Sequence, residues 1–277
     1  MEEAGSLVVQ TNIWAVISFI FYLIVIIGIG VFTTRFSSGG IGEYFLAGRK
    51  LKQFVVALSA VVSGRSSWLL LGVTGMAYLR GVSAVWAVVG YIIVELFLFL
   101  FVAKRLRRFT EKMDNITLPD FYESRFADSS GLLRILSVFI ILIFMITYVA
   151  AQFSGGGKAF FAGFGIDYTT GLFLTAAIVL IYTVLGGFLA VSLTDMIQAF
   201  FMIITLVVLP IIAISDKGGL HIMISSLKAL DPALIDPLSL TVGGIIGYLG
   251  IGLGSPGNPH ILARYMSIDD PRQLRVS

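Results

Sequence analysis

Residues 58–68 read Leu58-Ser-Ala-Val-Val-Ser-Gly-Arg-Ser-Ser-Trp68, inside a longer apolar run, Val55–Tyr78. Arg65 falls near the middle of that run. About 20 mostly apolar residues are enough to cross a bilayer as a helix. An ionisable side chain at the centre of such a crossing costs at least ~2.5–3.5 kcal/mol on insertion scales and marks a functional position. Ser63, Gly64, Ser66 and Ser67 around it are small or weak helix formers set between solid Val and Leu runs. The helix is expected to lose its winding there. Leu240–Ile261 shows the same character more strongly. It carries Gly243, Gly244, Gly247, Gly250, Gly252, Gly254 and Gly257, and Ser255-Pro-Gly-Asn-Pro259 places two prolines in its second half. Proline removes a backbone donor and clashes with the preceding turn, so an unbroken helix is not expected. Non-helical backbone at membrane depth survives only where it lines a cavity or is buried in protein. Two broken crossings, five positions apart in span order, point to a transporter of inverted repeats with its site between the breaks. Close helix packing through small residues is the competing reading of glycine in such spans. It fits Gly155-Gly-Gly157, where no proline follows.

Outward from these two stretches, seven apolar runs of spanning length appear, near Ile13–Thr33, Val55–Tyr78, Val82–Ala103, Leu132–Phe153, Gly171–Val191, Met196–Ile214 and Leu240–Ile261. The 277 residues are 57% hydrophobic and 13% charged, with a mean hydropathy of +0.97. That is about half the charge of a soluble domain, which excludes disorder and argues against a soluble enzyme. No alternating pattern of comparable length supports a β-barrel. The absence of cysteine excludes disulfides and thiolate sites within these residues, and two histidines alone, His221 and His260, argue against a histidine-built metal centre. The leading segment MEEAGSLVVQTN is acidic and lacks the basic region of a signal peptide, so the first crossing is expected to be retained. With the N-terminus outside, fourteen Lys and Arg fall in inner loops and four, Arg80, Lys158, Lys217 and Lys228, in outer ones. The excess places the N-terminus outside and the C-terminus inside. The basic pI of about 9.1 is then a topological signal, not a nucleic-acid surface. Lys104–Arg108 reads as a stop-transfer flank on anionic lipid.

Two further acids lie at depth. Glu95 sits slightly inward of the middle of the third span, and Asp195 at the inner junction of the fifth and sixth. The second and third spans are joined by a tight link around Leu79–Gly81, so they are antiparallel neighbours. Arg65 and Glu95 lie at similar distances from that link, which puts their depths within one turn. They either pair and neutralise each other or each faces a wet cavity separately. Asp195 is a functional candidate by its depth, and it is also placed to cap the N-terminus of the sixth span; the two readings are compatible.

Five motifs in order resemble the sodium:solute symporter family, most closely its bacterial sodium/proline branch. They are Glu43-Tyr-Phe-Leu-Ala-Gly-Arg-Lys-Leu51, Leu58-Ser-Ala leading to Ser66-Ser-Trp-Leu-Leu70, Asp120-Phe-Tyr-Glu-Ser-Arg-Phe126, Leu185 to Gln198, and Gly257 to Met266. The resemblance implies an all-α membrane protein: a leading helix followed by inverted five-helix repeats, the LeuT-type transporter arrangement. Residues 1–36 then hold the N-terminal segment and leading helix, 50–214 the complete first repeat, and 239–277 the first helix of the second repeat with a cytoplasmic end. The remaining helices of the second repeat are expected to lie in a missing C-terminal half. The resemblance further implies secondary transport of a small polar organic solute by alternating access in a bacterial inner membrane. Na⁺ is the coupling ion, with no other cofactor, no nucleic-acid partner and no covalent chemistry. Hard cations prefer oxygen ligands, and the carbonyls of Val62 and Arg65 match the family's ligands in the second span, while Asp195 matches an inner acid tied to coupling. Ser63, Ser66, Ser67, Ser255, Asn258 and Pro259 match substrate-cavity and gate positions. The chain departs from the proline branch at Gly64, where that branch has an acid, at Arg65, where it has methionine, and at Ile251 and Ser255, where it has aromatics. If Arg65 points at the ion site it replaces Na⁺ and gives a sodium-independent carrier. If it points at Glu95 the coupling survives. A transporter-like membrane sensor is the further alternative.

Overall fold

The computed structural model describes residues 12–275. The acidic leader up to Thr11 and the final Val276-Ser277, both invoked above, lie outside the described residues. The first helix, α1 (Ile13–Ser37), is capped by the Asn12 side chain, which accepts from the Trp14 N–H at 2.9 Å. A short α2 (Ile41–Leu46) leads into α3 (Gln53–Ser67), a π-helical turn (Trp68–Val73) and α4 (Thr74–Arg80). Next come α5 (Val85–Phe97), a second π-helical turn (Leu98–Ala103), α6 (Lys104–Lys112) and α7 (Leu118–Phe126). Thr117 and Asp120 close a reciprocal capping box at the start of α7. The long helices α8 (Leu132–Phe164) and α9 (Tyr168–Asp216) precede α10 (Leu220–Leu230), α11 (Val242–Gly250), a 3-10 segment (Ile251–Gly257) and α12 (Pro259–Met266).

Among the described residues, four helical runs are long and apolar enough to cross a membrane: Ile13–Ser37, Gln53–Lys112, Leu132–Phe164 and Tyr168–Asp216. Two of them cannot be straight. The 60 residues of Gln53–Lys112 would reach about 90 Å at 1.5 Å per residue, three times the ~30 Å hydrocarbon layer. The chain reverses at Gly81 (φ 60°), where a Cβ would come within 2.0 Å of the Leu234 carbonyl oxygen. The Tyr91 hydroxyl therefore reaches back to donate to the Gly64 carbonyl at 3.0 Å. The 49 residues of α9 fold back in the same way at Gly187 (φ 59°, ψ −153°). Tyr22 of α1 shares a pocket with Thr175 and Val179 before the reversal and accepts from Gln198 after it, at 2.6 Å. Only glycine fits the corner. A Cβ on Gly187 would meet the Tyr44 carbonyl at 2.8 Å, and one on Gly186 would meet Thr33 Oγ1 at 2.3 Å.

Three sequence expectations are corrected here. The fifth and sixth spans do not part near Asp195, because the positive φ that turns the chain is at Gly187 and helix resumes directly after it. The fourth span does not end at Phe153 but runs on to Phe164. Its three glycines allow that by close approach: Gly155 against Ser67, Gly156 against Thr175 and Gly157 against the Tyr168 backbone. Lys158 is consequently a helix residue, not a loop residue. Within the basic flank, Arg107 is 2% exposed and its Nε donates to the Ile268 carbonyl at 2.8 Å, so this side chain faces protein, not lipid headgroups.

The densest core lies at the end of the molecule that carries most of the basic residues. Leu46, Val56, Leu98, Leu106, Tyr265 and Met266 belong to one buried cluster there. Leu51 pairs its backbone with Ser267 and Asp269, closing an isolated parallel bridge to Ile268. Arg49 ties the layer together, donating to Thr110, Asn115 and Met266. By contrast α1, α8 and the second half of α9 present large apolar side chains outward, among them Phe21, Phe144 and Phe200. That exposure suits a lipid-facing wall.

Candidate functional site between two broken helices

Both interruptions are present. In α3 the helical geometry fails at Ser66 (φ 26°, ψ −172°). The break exposes backbone donors that side chains then satisfy. Ser66 Oγ accepts from the Trp68 N–H at 3.2 Å, as an N-cap does, and Gln152 Oε1 of α8 accepts from the Ser67 N–H at 2.8 Å. In the other strip of backbone, α11 tightens into the 3-10 segment, Asn258 is extended (φ −86°, ψ 106°), and α12 restarts with Pro259 at its first position. Proline is suited to that position, since the N–H it lacks has no intrahelical partner there.

The two breaks face one cavity of about 580 Å³. Ser63, Ser66, Ser67, Ser255 and Asn258 all line it; Val62 and Pro259 do not. Val62 lies one turn before the Ser66 break, and the Arg65 carbonyl already accepts from the Trp68 N–H. Trp68, Tyr91 and Tyr148 supply the aromatic part of the wall. Sequence reasoning missed Tyr148, Gln152 and Lys158 of α8. They recur with Gly155 at steps of three and four, the spacing of one helix face. A polar stripe in an otherwise apolar crossing was the available signal. It was obscured by ending that span at Phe153.

Two guanidinium–carboxylate pairs flank the cavity. Arg65 Nη2 lies 2.8 Å from Glu95 Oε2, both largely buried, and the guanidinium also sits 4.7 Å from the Tyr91 ring centroid. Arg65 itself is not among the residues that line the cavity. On the other side Asp195 Oδ2 accepts from Arg264 Nη2 at 2.7 Å, Ser59 Oγ at 2.6 Å and Ser63 Oγ at 3.1 Å. Arg264 Nε donates to Ser59 Oγ at 2.7 Å. Asp195 lies two turns beyond the Gly187 corner, too far to cap a helix start, which overturns the capping role considered above. Its partners instead join α3, α9 and α12, and Ser63 belongs to both this network and the cavity wall. Arg264 was legible only as one inner-loop cation. Among the described residues no group of three or more His, Asp or Glu is placed to hold a metal. Around Ser66 the cavity wall offers the hydroxyl oxygens of Ser63, Ser66 and Ser67, and oxygen is the ligand type that hard cations prefer.

A family model described as the sodium:solute symporter family matches residues 44–277. The chain is 42% identical over 266 residues to the osmoregulated proline transporter OpuE of Bacillus subtilis, covering 95% of this chain. It is 38% identical over 277 residues to a sodium/proline symporter of Staphylococcus aureus, covering 99%. In both cases it spans 54% of the relative's length. Among solved structures, a Na⁺-coupled sialic acid symporter in a substrate-bound outward-open state superposes with a TM-score of 0.77 over 92% of this chain and 54% of the other, at 20% identity. That likeness concerns the fold. These relatives are transporters and not enzymes. The matched family model covers most of the sequence and the relatives align along nearly all of it, so the chain belongs to the sodium:solute symporter family.

Proposed function

We propose that this chain forms part of a secondary transporter that moves a small polar organic solute with Na⁺ by alternating access. The observation that carries the reading is the shared cavity at two helix breaks, Ser66 and Asn258, walled by hydroxyl and amide side chains. Broken backbone at membrane depth is tolerated where it lines such a cavity and offers carbonyls and N–H groups to ions and solutes. In this reading the chain crosses the membrane seven times. The crossings are α1, the two limbs that meet at Gly81, α8, the two limbs of α9 and the α11–α12 pair. The first of these is a leading helix, the next five are one repeat, and the last opens an inverted copy. The carbonyls of Val62 and Arg65 contribute to the ion's surroundings. Ser63, Ser66, Ser67, Ser255 and Asn258 meet the solute, and Pro259 fixes where α12 resumes. Asp195 acts from the inner side through Ser63. The N-terminus lies outside, the C-terminus inside a bacterial plasma membrane, and lipid surrounds α1, α8 and α9.

Sodium coupling is favoured over a carrier in which Arg65 substitutes for the ion, because the guanidinium is engaged by Glu95 at 2.8 Å. The native gene product in proteoliposomes tests both points. Accumulation of a labelled solute is expected under an inward Na⁺ gradient and not under choline, with the Arg65→Met variant equally sodium-dependent. Native uptake that ignores sodium, and gains dependence in Arg65→Met, overturns the coupling. Absence of uptake for every amino acid, carboxylate and sugar tried overturns the carrier reading itself.

A further inference from the structure

We infer that Tyr91 is a positioning residue for the ion: its hydroxyl holds the broken turn of α3 in the shape that presents the backbone oxygens around Gly64 to Na⁺. The inference rests on the reading of that turn as part of the ion's surroundings, and it names the side chain that fixes it.

A break in a helix does not support itself. Ser66 takes φ 26° and ψ −172°, and backbone so far from the favoured wells persists only where its surroundings over-determine it. In an unbroken helix the Gly64 carbonyl would accept from the Trp68 N–H, and the Ser63 carbonyl from the Ser67 N–H. At the break both N–H groups turn elsewhere. That of Trp68 goes to the Arg65 and Ser66 oxygens, and that of Ser67 to Gln152 Oε1. A carbonyl freed in this way needs a donor from outside the helix. For Gly64 the donor is the Tyr91 hydroxyl of α5, at 3.0 Å. The broken turn is thus held through an N–H from α8 and through a carbonyl from α5.

Two ring contacts leave Tyr91 little freedom. Its ring stacks on Trp68, with centroids 6.1 Å apart and planes 23° from parallel. The Arg65 guanidinium lies 4.7 Å from the ring centroid and is kept there by Glu95. Tyr91 therefore touches Gly64 and Arg65 before the break and Trp68 after it, as a splint spans a fracture. The fit at Gly64 is close. A Cβ there would come within 2.4 Å of the Tyr91 hydroxyl oxygen, so a side chain at position 64 and the hydroxyl compete for one space. The Gly64 carbonyl shares a rigid plane with the Arg65 N–H. Holding that plane limits how far the neighbouring carbonyls, those of Val62 and Arg65 among them, can rotate. Tyr91 does this from the cavity wall itself.

The hydroxyl can be removed without the ring. Binding of radiolabelled Na⁺ to the native gene product in detergent, with unlabelled Na⁺ as competitor, is read by scintillation proximity. Tyr91→Phe keeps the stack on Trp68 and the contact with Arg65. It is expected to weaken Na⁺ binding about three- to tenfold, the size of one neutral hydrogen bond. Gly64→Ala should weaken binding to a similar extent by pushing the hydroxyl off the carbonyl. The double variant Gly64→Ala/Tyr91→Phe should then bind no more weakly than either single one, because the same hydrogen bond is lost only once. A tyrosine that served packing alone would lower the thermal midpoint of Tyr91→Phe and leave its Na⁺ affinity native, which overturns the assignment. Losses that add in the double variant overturn it as well, and both results leave the carrier reading intact. If the native protein binds no Na⁺ at all, the sodium reading falls and this inference with it.

Discussion

Asp195 and Arg264 show how much a buried pair depends on both members. Asp195 Oδ2 gathers three donors, two serine hydroxyls and the Arg264 guanidinium, and Arg264 is 4% exposed. Asp195→Asn leaves the guanidinium without its counter-ion, a change that costs about 3–5 kcal/mol when a buried pair loses one partner. Arg264→Met strands the carboxylate in the same way, although Ser59 and Ser63 still donate to it. The double variant Asp195→Asn/Arg264→Met removes both charges and is expected to be far closer to the native protein than the sum of the single changes. Thermal unfolding in detergent checks this. Midpoints that fall additively would show that the two side chains do not act as a pair. The sequence exposed one end of this network and hid the other. An acid within an apolar stretch is conspicuous, whereas Arg264 is one arginine among several near a span end and its inward direction follows only from how α12 packs on α3. Ser59 gave no signal, since a serine in a crossing reads as a small packing residue.

At the level of elements, the interruption at Ser66 was legible because several weak helix formers cluster there, and that near Asn258 because two prolines flank it. The corner at Gly187 was not. Gly186-Gly187 sits in an apolar run that continues as helix on both sides, and composition does not distinguish a packing glycine from a turning one. What distinguishes it is backbone: a φ of 59° and a carbonyl 2.8 Å from where a Cβ would be. The corner is held from outside by Ser37 Oγ, which donates to the Gly186 carbonyl at 2.5 Å, and by Thr34 Oγ1, which donates to Leu185 at 3.0 Å. Gly187→Ala therefore adds left-handed strain of about 1–3 kcal/mol to a steric contact with backbone that cannot swing aside. Alanine at Gly28, where a Cβ meets nothing within 4 Å, is the matched control and should be neutral. Yield of monodisperse protein and its thermal midpoint, compared between the two variants, decide the matter. Equal behaviour would mean the reversal does not need glycine.

Across the whole molecule the links between elements sort into two ends. Arg49 reaches Thr110, Asn115 and Met266, Leu51 pairs with Ile268, and the Gly187 corner packs on Tyr44, so these connections share one end. Gly81 packs on Leu234, and Trp86 Nε1 donates to the Pro237 carbonyl at 2.7 Å, which gathers the opposite end around residues 81–86 and 232–237. The first end holds most of the lysines and arginines. Lys158 lies in α8 and lines the cavity, so it is not one of the loop cations of the second end. The proposed orientation puts the first end in the cytoplasm. These 277 residues contain no cysteine, so within them an introduced thiol is the only one and its labelling can be read directly. Ser226, in α10, is exposed toward the second end, and Ser129, between α7 and α8, is exposed toward the first. In intact cells a membrane-impermeant maleimide is expected to label Ser226→Cys and to spare Ser129→Cys until the membrane is permeabilised. The reverse pattern would invert the protein while leaving the fold untouched. Labelling of both from outside would mean that the two ends do not lie across a bilayer, and the seven-crossing arrangement would go with them.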